Sequence, residues 1–337
     1  MKAAIVGASG YLGAELLRVL ASHPDLDVVA AQAEASAGAT IAELFPSLGG
    51  PYPDLVATPT DPAALAGCDV VFVAVPSGRS QAIVAQLTGT VPLVVDLGAD
   101  FRLRDAAAYE RWYGFVHTAP ELLGRAVYGL PEFHRAELVG ATLIAAPGCY
   151  VTAAALCLAP LVAAGLVESD GLIVDAASGT SGAGRQPSAT THHATVNENF
   201  VAYGLLDHRH TPEMAQAIGA EVLFTPHLAP MTRGILATCY ARPTHAISTD
   251  ELLGALGEVY AGEPFVEVVS HSPSTRETYA SNVAKLTARS DARTRHVIVL
   301  GAIDNLTKGG AGQAIQAANV ALGLPETAGL PRVAVTP

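Results

Sequence analysis

The sequence predicts an α/β protein: a doubly wound, mostly parallel sheet over residues 1–148, then a second domain of α+β type with a largely antiparallel sheet over residues 149–309. Three observations carry this. Strand-like and helix-like runs alternate through the first hundred residues. Beyond residue 170, strand-like runs follow one another with few helices between them. And 337 residues with 50% hydrophobic content are enough to bury more than one core.

Lys2-Ala-Ala-Ile-Val6 reads as a buried strand. Gly7-Ala-Ser9-Gly10-Tyr11-Leu12-Gly13 follows at once, and Ala14 to Ala21 has helical periodicity. Pro24 ends that helix, and Asp27 to Ala31 is the next strand. Strand, glycine turn, helix and strand form the context of a Rossmann-type dinucleotide site, in which glycines let a pyrophosphate approach the amides at the helix start. The spacing here is G-x-x-G-x-x-G, and a plain tight turn is the bland alternative. Gln32 to Gly38 should read the adenosine ribose. Glu34 there suits a free 2′-hydroxyl; Ser36 and nearby amides suit a 2′-phosphate. Asp69 to Val75 and Pro92 to Asp96 are further buried strands, with Pro76-Ser-Gly78 at the carboxyl edge where ligands bind in open sheets.

Ile144-Ala-Ala-Pro-Gly-Cys149-Tyr-Val-Thr152 then places one thiol at the start of a helix-forming run. Free N–H groups and the helix dipole there favour a thiolate and suit an oxyanion on a carbonyl bound to the sulfur. Cys149 is either that nucleophile or a small buried hydrophobe. Cys68, Cys157 and Cys239 sit among apolar neighbours and read as packing residues.

In the second domain the strand-like runs are 171–177, 222–225, 234–240, 265–269, 284–288 and 296–301, with one clear amphipathic helix at 249–260. The glycines at 309, 310 and 312 open a last helix; the stretch 310–337 is expected to pack back on the first domain. His208-Arg-His210-Thr-Pro212-Glu213 is the densest ionisable cluster. Pro212 disfavours helix before it, so His208 and His210 are expected on one side of an extended segment. Beside a helix-starting thiol, an imidazole suits general acid–base work. No third ligand is evident, and no metal is expected.

Charged residues are only 15% of the chain and the formal net charge is −12, which speaks against nucleic-acid binding. Arg289 to Arg295 is the one compact basic cluster and reads as a solvated loop. Four cysteines without CxxC spacing are no disulfide framework. The N-terminus lacks a signal-peptide layout and no apolar run is long enough for a bilayer, so a soluble cytoplasmic protein is expected.

Taken together, the Cys149 stretch, Gly7 to Glu15, Asp100-Phe-Arg102, Val127 to Glu132, Ser178-Gly-Thr-Ser-Gly-Ala-Gly-Arg185, the His-x-His-x-Pro-Glu run and Asn305-Leu-Thr-Lys-Gly-Gly-Ala-Gly-Gln-Ala314 resemble N-acetyl-gamma-glutamyl-phosphate reductases, in the wider group of aspartate-semialdehyde dehydrogenases. The resemblance runs over nearly the whole chain. It implies reduction of N-acetyl-L-glutamyl 5-phosphate by NADPH to the 5-semialdehyde and phosphate, the third step of arginine biosynthesis, through a Cys149 thioester with His210 as base and acid. It implies Arg102 for the substrate phosphate, and Arg185, His208 and Glu213 for orienting the substrate. It implies cofactor contacts at Gly7, Ser9, Gly10, Tyr11, Leu12, Gly13, Ser36 and Pro76, with Gly179, Ser181, Gly182 and Asn305 near the nicotinamide. A homo-oligomer, dimer or tetramer, is expected. Relatives usually carry a basic residue in the ribose-reading segment; this chain has none, so the NADP preference should be modest. Ser77 stands where relatives often have histidine.

Two other readings share parts of this pattern. The sister reductase of lysine synthesis acts on a carrier-bound aminoadipyl phosphate, and its acidic carrier would need a basic face that this acidic chain lacks. A non-catalytic redox sensor would have no use for a helix-capping thiol paired with an imidazole.

Overall fold

The computed structural model describes residues 1–336. The chain divides into two units, Met1–Pro147 with Gly310–Leu330, and Gly148–Gly309 with the segment from Pro331.

The first unit is built on a seven-stranded parallel sheet. Its strands are β1 (Lys2–Val6), β2 (Asp27–Gln32), β3 (Ala57–Thr58), β4 (Val70–Val73), β5 (Leu93–Asp96), β6 (Val127–Tyr128) and β7 (Leu143–Ala145), in the order β3-β2-β1-β4-β5-β7-β6. All pairings are parallel, as the sequence predicts. β4, β5 and β7 are buried at every residue, which is why they read as continuous apolar runs without alternation. Helices Tyr11–Leu20 and Ser80–Leu87 make two of the crossovers. The order reverses between β1 and β4, and ligands bind at such a switch point. Gly7 follows β1 there with φ +87°, and a Cβ on it would lie 2.3 Å from the Ala74 carbonyl oxygen. Only glycine makes this turn without displacing the backbone after β4.

The helix Gly312–Ala321 belongs to this unit. Gln313 Nε2 donates to the Gly129 carbonyl at 2.9 Å, Gln316 Nε2 donates to Glu132 and Glu326, and Arg135 pairs with Glu326 at 3.1 Å. From Pro331 the chain runs with the second unit, where the Asn282 N–H donates to the Pro331 carbonyl.

His23 gives this unit a pH response. Its Nδ1 accepts from the N–H groups of Asp25 and Leu26, both at 3.1 Å, so the ring proton sits on Nε2 and goes to Asn319 Oδ1 at 3.0 Å. Burial pushes its pKa below the ordinary 6.5. A histidine with a depressed folded pKa stabilises the fold above its unfolded value, and the contribution is lost as pH falls through that window. The melting temperature should therefore drop from about pH 8 to about pH 5 by more in the wild type than in His23→Gln, whose side chain does not titrate. Parallel melting curves would show His23 to be silent.

The second unit carries β8 (Leu172–Ser178), β9 (Val201–Ala202), β10 (Val222–Leu228), β11 (Ile235–Ala241), β12 (Val266–Val268), β13 (Ala284–Asp291) and β14 (His296–Ile303), in the order β12-β13-β14-β11-β8-β10-β9. The sheet is mostly antiparallel; the pairs β8–β10 and β12–β13 are parallel. Alternate residues of β8 and β11 are buried, and the helix Cys149–Ala163 packs on β11 and β14. Pro160 lies inside that helix and has no N–H for the Leu156 carbonyl four residues back. The Tyr260 hydroxyl donates to that carbonyl at 2.6 Å, which satisfies the group the proline orphans. Beyond the helix expected at 249–260, observed at Thr249–Val259, a second amphipathic helix spans Thr211–Ile218. Among the described residues no helix is long and apolar enough to cross a membrane.

Candidate active site

Cys149 is the first residue of the helix Cys149–Ala163, and Gly148 is its N-cap in an extended conformation. The Thr152 N–H closes the first turn on the Gly148 carbonyl at 2.9 Å, so the amides just before it have no partner within the helix. Cys149 is half-buried, whereas the other three cysteines are buried. Burial holds the Cys68 thiol above its ordinary range. A hydrogen bond to Cys157, with burial, does so more strongly for Cys239. Cys149 alone combines access with a helix start.

The residue before Cys149 is a glycine because two side chains, His210 and Glu213, occupy the place of its Cβ. A Cβ on Gly148 would lie 2.7 Å from His210 Nε2 and 3.0 Å from Glu213 Oε2. The Glu213 side chain is fully buried, and its Oε1 accepts the Gly148 N–H at 2.8 Å. One carboxylate thus ties the turn before Cys149 to the helix Thr211–Ile218, at whose start His210 sits.

The expected extended segment through His208 and His210 is not what forms. His210 has φ −81° and ψ −9°, as N-cap of the helix that follows, and Pro212 lies in its first turn. A proline there lacks only an N–H that would be unsatisfied anyway, so it starts a helix instead of forbidding one. The two imidazoles still meet, with ring centroids 4.9 Å apart at 74°. His208 Nδ1 accepts the His210 N–H at 3.1 Å, which leaves its proton on Nε2. Burial, and then the Arg209 charge, lowers its pKa to about 4, so His208 is a neutral N–H donor at pH 7. Tyr150, Tyr203 and Phe224 meet its ring edge-on at 5.2–5.7 Å and fix its orientation. Tyr150 donates its one hydroxyl proton to the His227 carbonyl at 3.1 Å, so Tyr203 is the donor in the 3.2 Å contact between the two hydroxyls.

The loop after β8 is cross-braced. Asn305 Nδ2 donates to Ser181 Oγ at 2.9 Å, and its Oδ1 accepts the Gly234 N–H at 2.7 Å. Gly179 has no room for a Cβ, which would lie 2.7 Å from the backbone of Thr232 and Arg233. Gly182 packs beside Ser178 and Asn305, while Arg185 is exposed. In the first unit, Arg102 donates Nε to the Ala146 carbonyl at 2.7 Å and Nη2 to the Leu97 carbonyl at 3.1 Å, at the carboxyl edge of the sheet. Asp100 accepts the N–H groups of Gly78 and Ser80, fixing the turn that follows Pro76. Burial, then the neighbouring Asp100 charge, raises the Asp96 carboxyl to about 7.

The glycine run fits a dinucleotide. A Cβ on Gly13 would meet the Gly7 carbonyl at 2.4 Å, so the turn from Gly7 packs flat against the start of the ten-residue helix Tyr11–Leu20. The first amides of that helix, from Tyr11 to Gly13, make no helical bond, and such amides suit an anion at a helix start. Glu34 accepts the Thr60 N–H at 3.2 Å. The amides expected to serve a 2′-phosphate are in use: Ser36 N–H bonds to Ala33, and Gly38 N–H bonds to Ala57. Ser36 itself is half-exposed.

Residues 2–141 match the family described as semialdehyde dehydrogenase, NAD binding domain, and residues 149–305 match semialdehyde dehydrogenase, dimerisation domain. An N-acetyl-gamma-glutamyl-phosphate reductase of Symbiobacterium thermophilum is 49% identical over 98% of this chain and 97% of its own, and one of Acidothermus cellulolyticus is 49% identical over 100% and 99%. The chain belongs to the N-acetyl-gamma-glutamyl-phosphate reductase family. Aspartate semialdehyde dehydrogenase II of Vibrio cholerae shares the fold, with a TM-score of 0.71 at 16% identity over 95% of this chain and 97% of that one. So does a probable aspartate-semialdehyde dehydrogenase of Pseudomonas aeruginosa, at 0.68 and 20% over 95% and 98%.

Three features of this reductase family member depend on partners distant in sequence. Tyr150 and Tyr203 cage His208. Arg233 and Asp304 form an ion pair at 2.8 Å behind Asn305. Lys308 is fully buried with its ammonium 5.8 Å over the Phe265 ring. Among the described residues no cluster of three or more His, Cys, Asp or Glu is arranged to hold a metal.

Proposed function

We propose that this chain reduces N-acetyl-L-glutamyl 5-phosphate with NADPH to N-acetyl-L-glutamate 5-semialdehyde and phosphate, the third step of arginine biosynthesis. The observation that carries the reading is the Gly148–Cys149 helix start with His210 and Glu213 packed on it. His210 takes the Cys149 proton. The thiolate attacks the acyl carbon, a C–S bond forms, the C–O bond to phosphate breaks, and the expelled phosphate takes a proton from solvent. The amides of the helix start hold the oxyanion meanwhile. NADPH, when bound, supplies the hydride that reduces the thioester carbonyl. His210 then protonates the carbonyl oxygen, takes that proton back as the C–S bond breaks, and the aldehyde leaves. Neutral His208, with its proton on Nε2, donates a hydrogen bond to the substrate. Arg102 is proposed for the phosphate, and Arg185 for the substrate's carboxylate end. Glu213 was expected to orient substrate; its burial and its bond to Gly148 favour holding the nucleophile's turn instead.

The reverse reaction tests this. With NADP⁺, phosphate and N-acetylglutamate semialdehyde, absorbance of the reduced cofactor should rise, and only when phosphate is present. Turnover with the aminoadipate homologue alone would point to the lysine enzyme.

For the cofactor, the glycine cradle is proposed to hold the pyrophosphate, with Ser9, Gly10, Tyr11 and Leu12 around it and Pro76 beside the ribose. With Glu34 held by the Thr60 amide and the neighbouring amides engaged, the Ser36 hydroxyl is the donor proposed for the 2′-phosphate. A hydroxyl is a weaker partner than an Arg fork, so NADPH should be preferred only modestly. Ser36→Ala should raise KM for NADPH and leave KM for NADH nearly unchanged; equal losses with both cofactors would remove Ser36 from this role.

A homo-oligomer is proposed through the second unit. The match to a dimerisation domain supports it, as do Ile173, Leu236, Ile298 and Leu300, which alternate with the buried residues of their strands and stay half-exposed. Sedimentation should give a multiple of 34.5 kDa; a single 34.5 kDa species at micromolar concentration would contradict it.

A further inference from the structure

We propose that Asp304 and Gly309 are positioning residues for the nucleophile: a widened helical turn, fixed by the Asp304 carboxylate in the grip of Arg233, presses the bare face of Gly309 against Cys149 and sets where its sulfur stands. This rests on the reading of Cys149 as nucleophile.

The turn is unusual. Thr307–Ala311 is a π-helix, and the Gly309 N–H bonds to the Asp304 carbonyl five residues back at 2.8 Å. Such turns are rare and are common at functional sites, because the extra residue carries a local cost that something must repay. Here the Asp304 side chain fixes it. That carboxylate is fully buried. It accepts Arg233 Nε at 2.9 Å and Nη2 at 2.8 Å, the N–H groups of Leu306 and Thr307 at 2.9 Å each, and that of Ala280 at 2.7 Å. Arg233 Nη2 also donates to Thr307 Oγ1 at 2.9 Å, so the same guanidinium grips both ends of the turn's start. A planar fork with charge on both sides is a stiff clamp.

The turn delivers one glycine to one place. A Cβ on Gly309 would lie 2.8 Å from Cys149 Cβ, 3.2 Å from Cys149 Cα and 3.2 Å from Ile303 Cδ1. The first two atoms belong to the nucleophile's own frame and cannot rotate out of the way. Gly309 is therefore a wall behind Cys149. Without it the first helical residue would be free to settle toward β14; with a methyl there it would be pushed off its line.

The test uses the full chain and two variants, Gly309→Ala and Arg233→Lys. For each, kcat, KM, the melting temperature and the pH profile of iodoacetamide alkylation at Cys149, located by mass spectrometry, are measured. Gly309→Ala should lower kcat by about 10²-fold, the scale of a misplacement near 1 Å, with KM little changed and the alkylation profile displaced. Arg233→Lys keeps the charge but loses the fork, and should lower kcat by less, again without raising KM. A packing role would lower the melting temperature and leave kcat and the alkylation profile of the folded protein alone, and that result overturns the proposal. If Gly309→Ala does not fold, Arg233→Lys decides by the same split. Wild-type protein alkylated at Cys149 should be inactive. If it still turned over, the nucleophile reading would fail and the positioning role with it; if it is inactive while both variants behave as wild type, only the positioning role fails.

Discussion

Cys149→Ser should bring turnover to below about 10⁻⁴ of wild type while the affinity for NADPH stays the same. The serine hydroxyl stands at the same helix start, with the same amides and the same imidazole near it, but its pKa is far above that of a thiol, and an ester accepts hydride less readily than a thioester. Both chemical steps suffer. The glycines proposed to cradle the dinucleotide, Gly7, Gly10 and Gly13, belong to the first unit, and the substitution leaves them untouched. Near wild-type turnover by the serine variant would mean that no covalent intermediate is needed.

His210→Ala should lower kcat by about 10²–10⁴-fold, the range for losing a general acid–base group. His208→Ala should act mainly on KM. The two rings lie side by side, so proximity alone does not separate them. Their surroundings do. His210 Nε2 lies against Gly148, the residue before Cys149. His208 has its Nδ1 committed to the His210 amide, and burial holds it neutral down to about pH 4. A ring that takes no proton between pH 5 and 8 is a poor base and a steady donor. For the same reason His208→Gln should leave the shape of the kcat–pH profile in that range unchanged. Steady-state kinetics on these variants checks the assignment, and the reverse pattern would exchange the two roles.

The parts of the fold legible in the sequence are those set by local pattern. β1, β4 and β5 read correctly because a strand buried on both faces is an unbroken apolar run, and the glycines after β1 mark the only turn that clears the Ala74 carbonyl. Cys149 was legible because a helix start is a local property. What depended on distant partners was not. The bond between Glu213 and the Gly148 amide is not legible, because the two are 65 residues apart. Asn305 and Ser181 are 124 residues apart, and Arg233 and Asp304 are 71 apart. The helix Thr211–Ile218 is not legible because a proline disfavours helix at the residue before it, whereas Pro212 here occupies the first turn, which needs no N–H.

The central claim is that Cys149 carries the acyl group. It is tested most directly by mixing the protein with N-acetyl-L-glutamyl 5-phosphate in the absence of NADPH and measuring its intact mass after an acid quench. The account predicts release of one equivalent of phosphate and gain of one N-acetylglutamyl group, mapped to Cys149 and discharged as aldehyde when NADPH is added. Phosphate release that requires NADPH, with the protein's mass unchanged throughout, would contradict it.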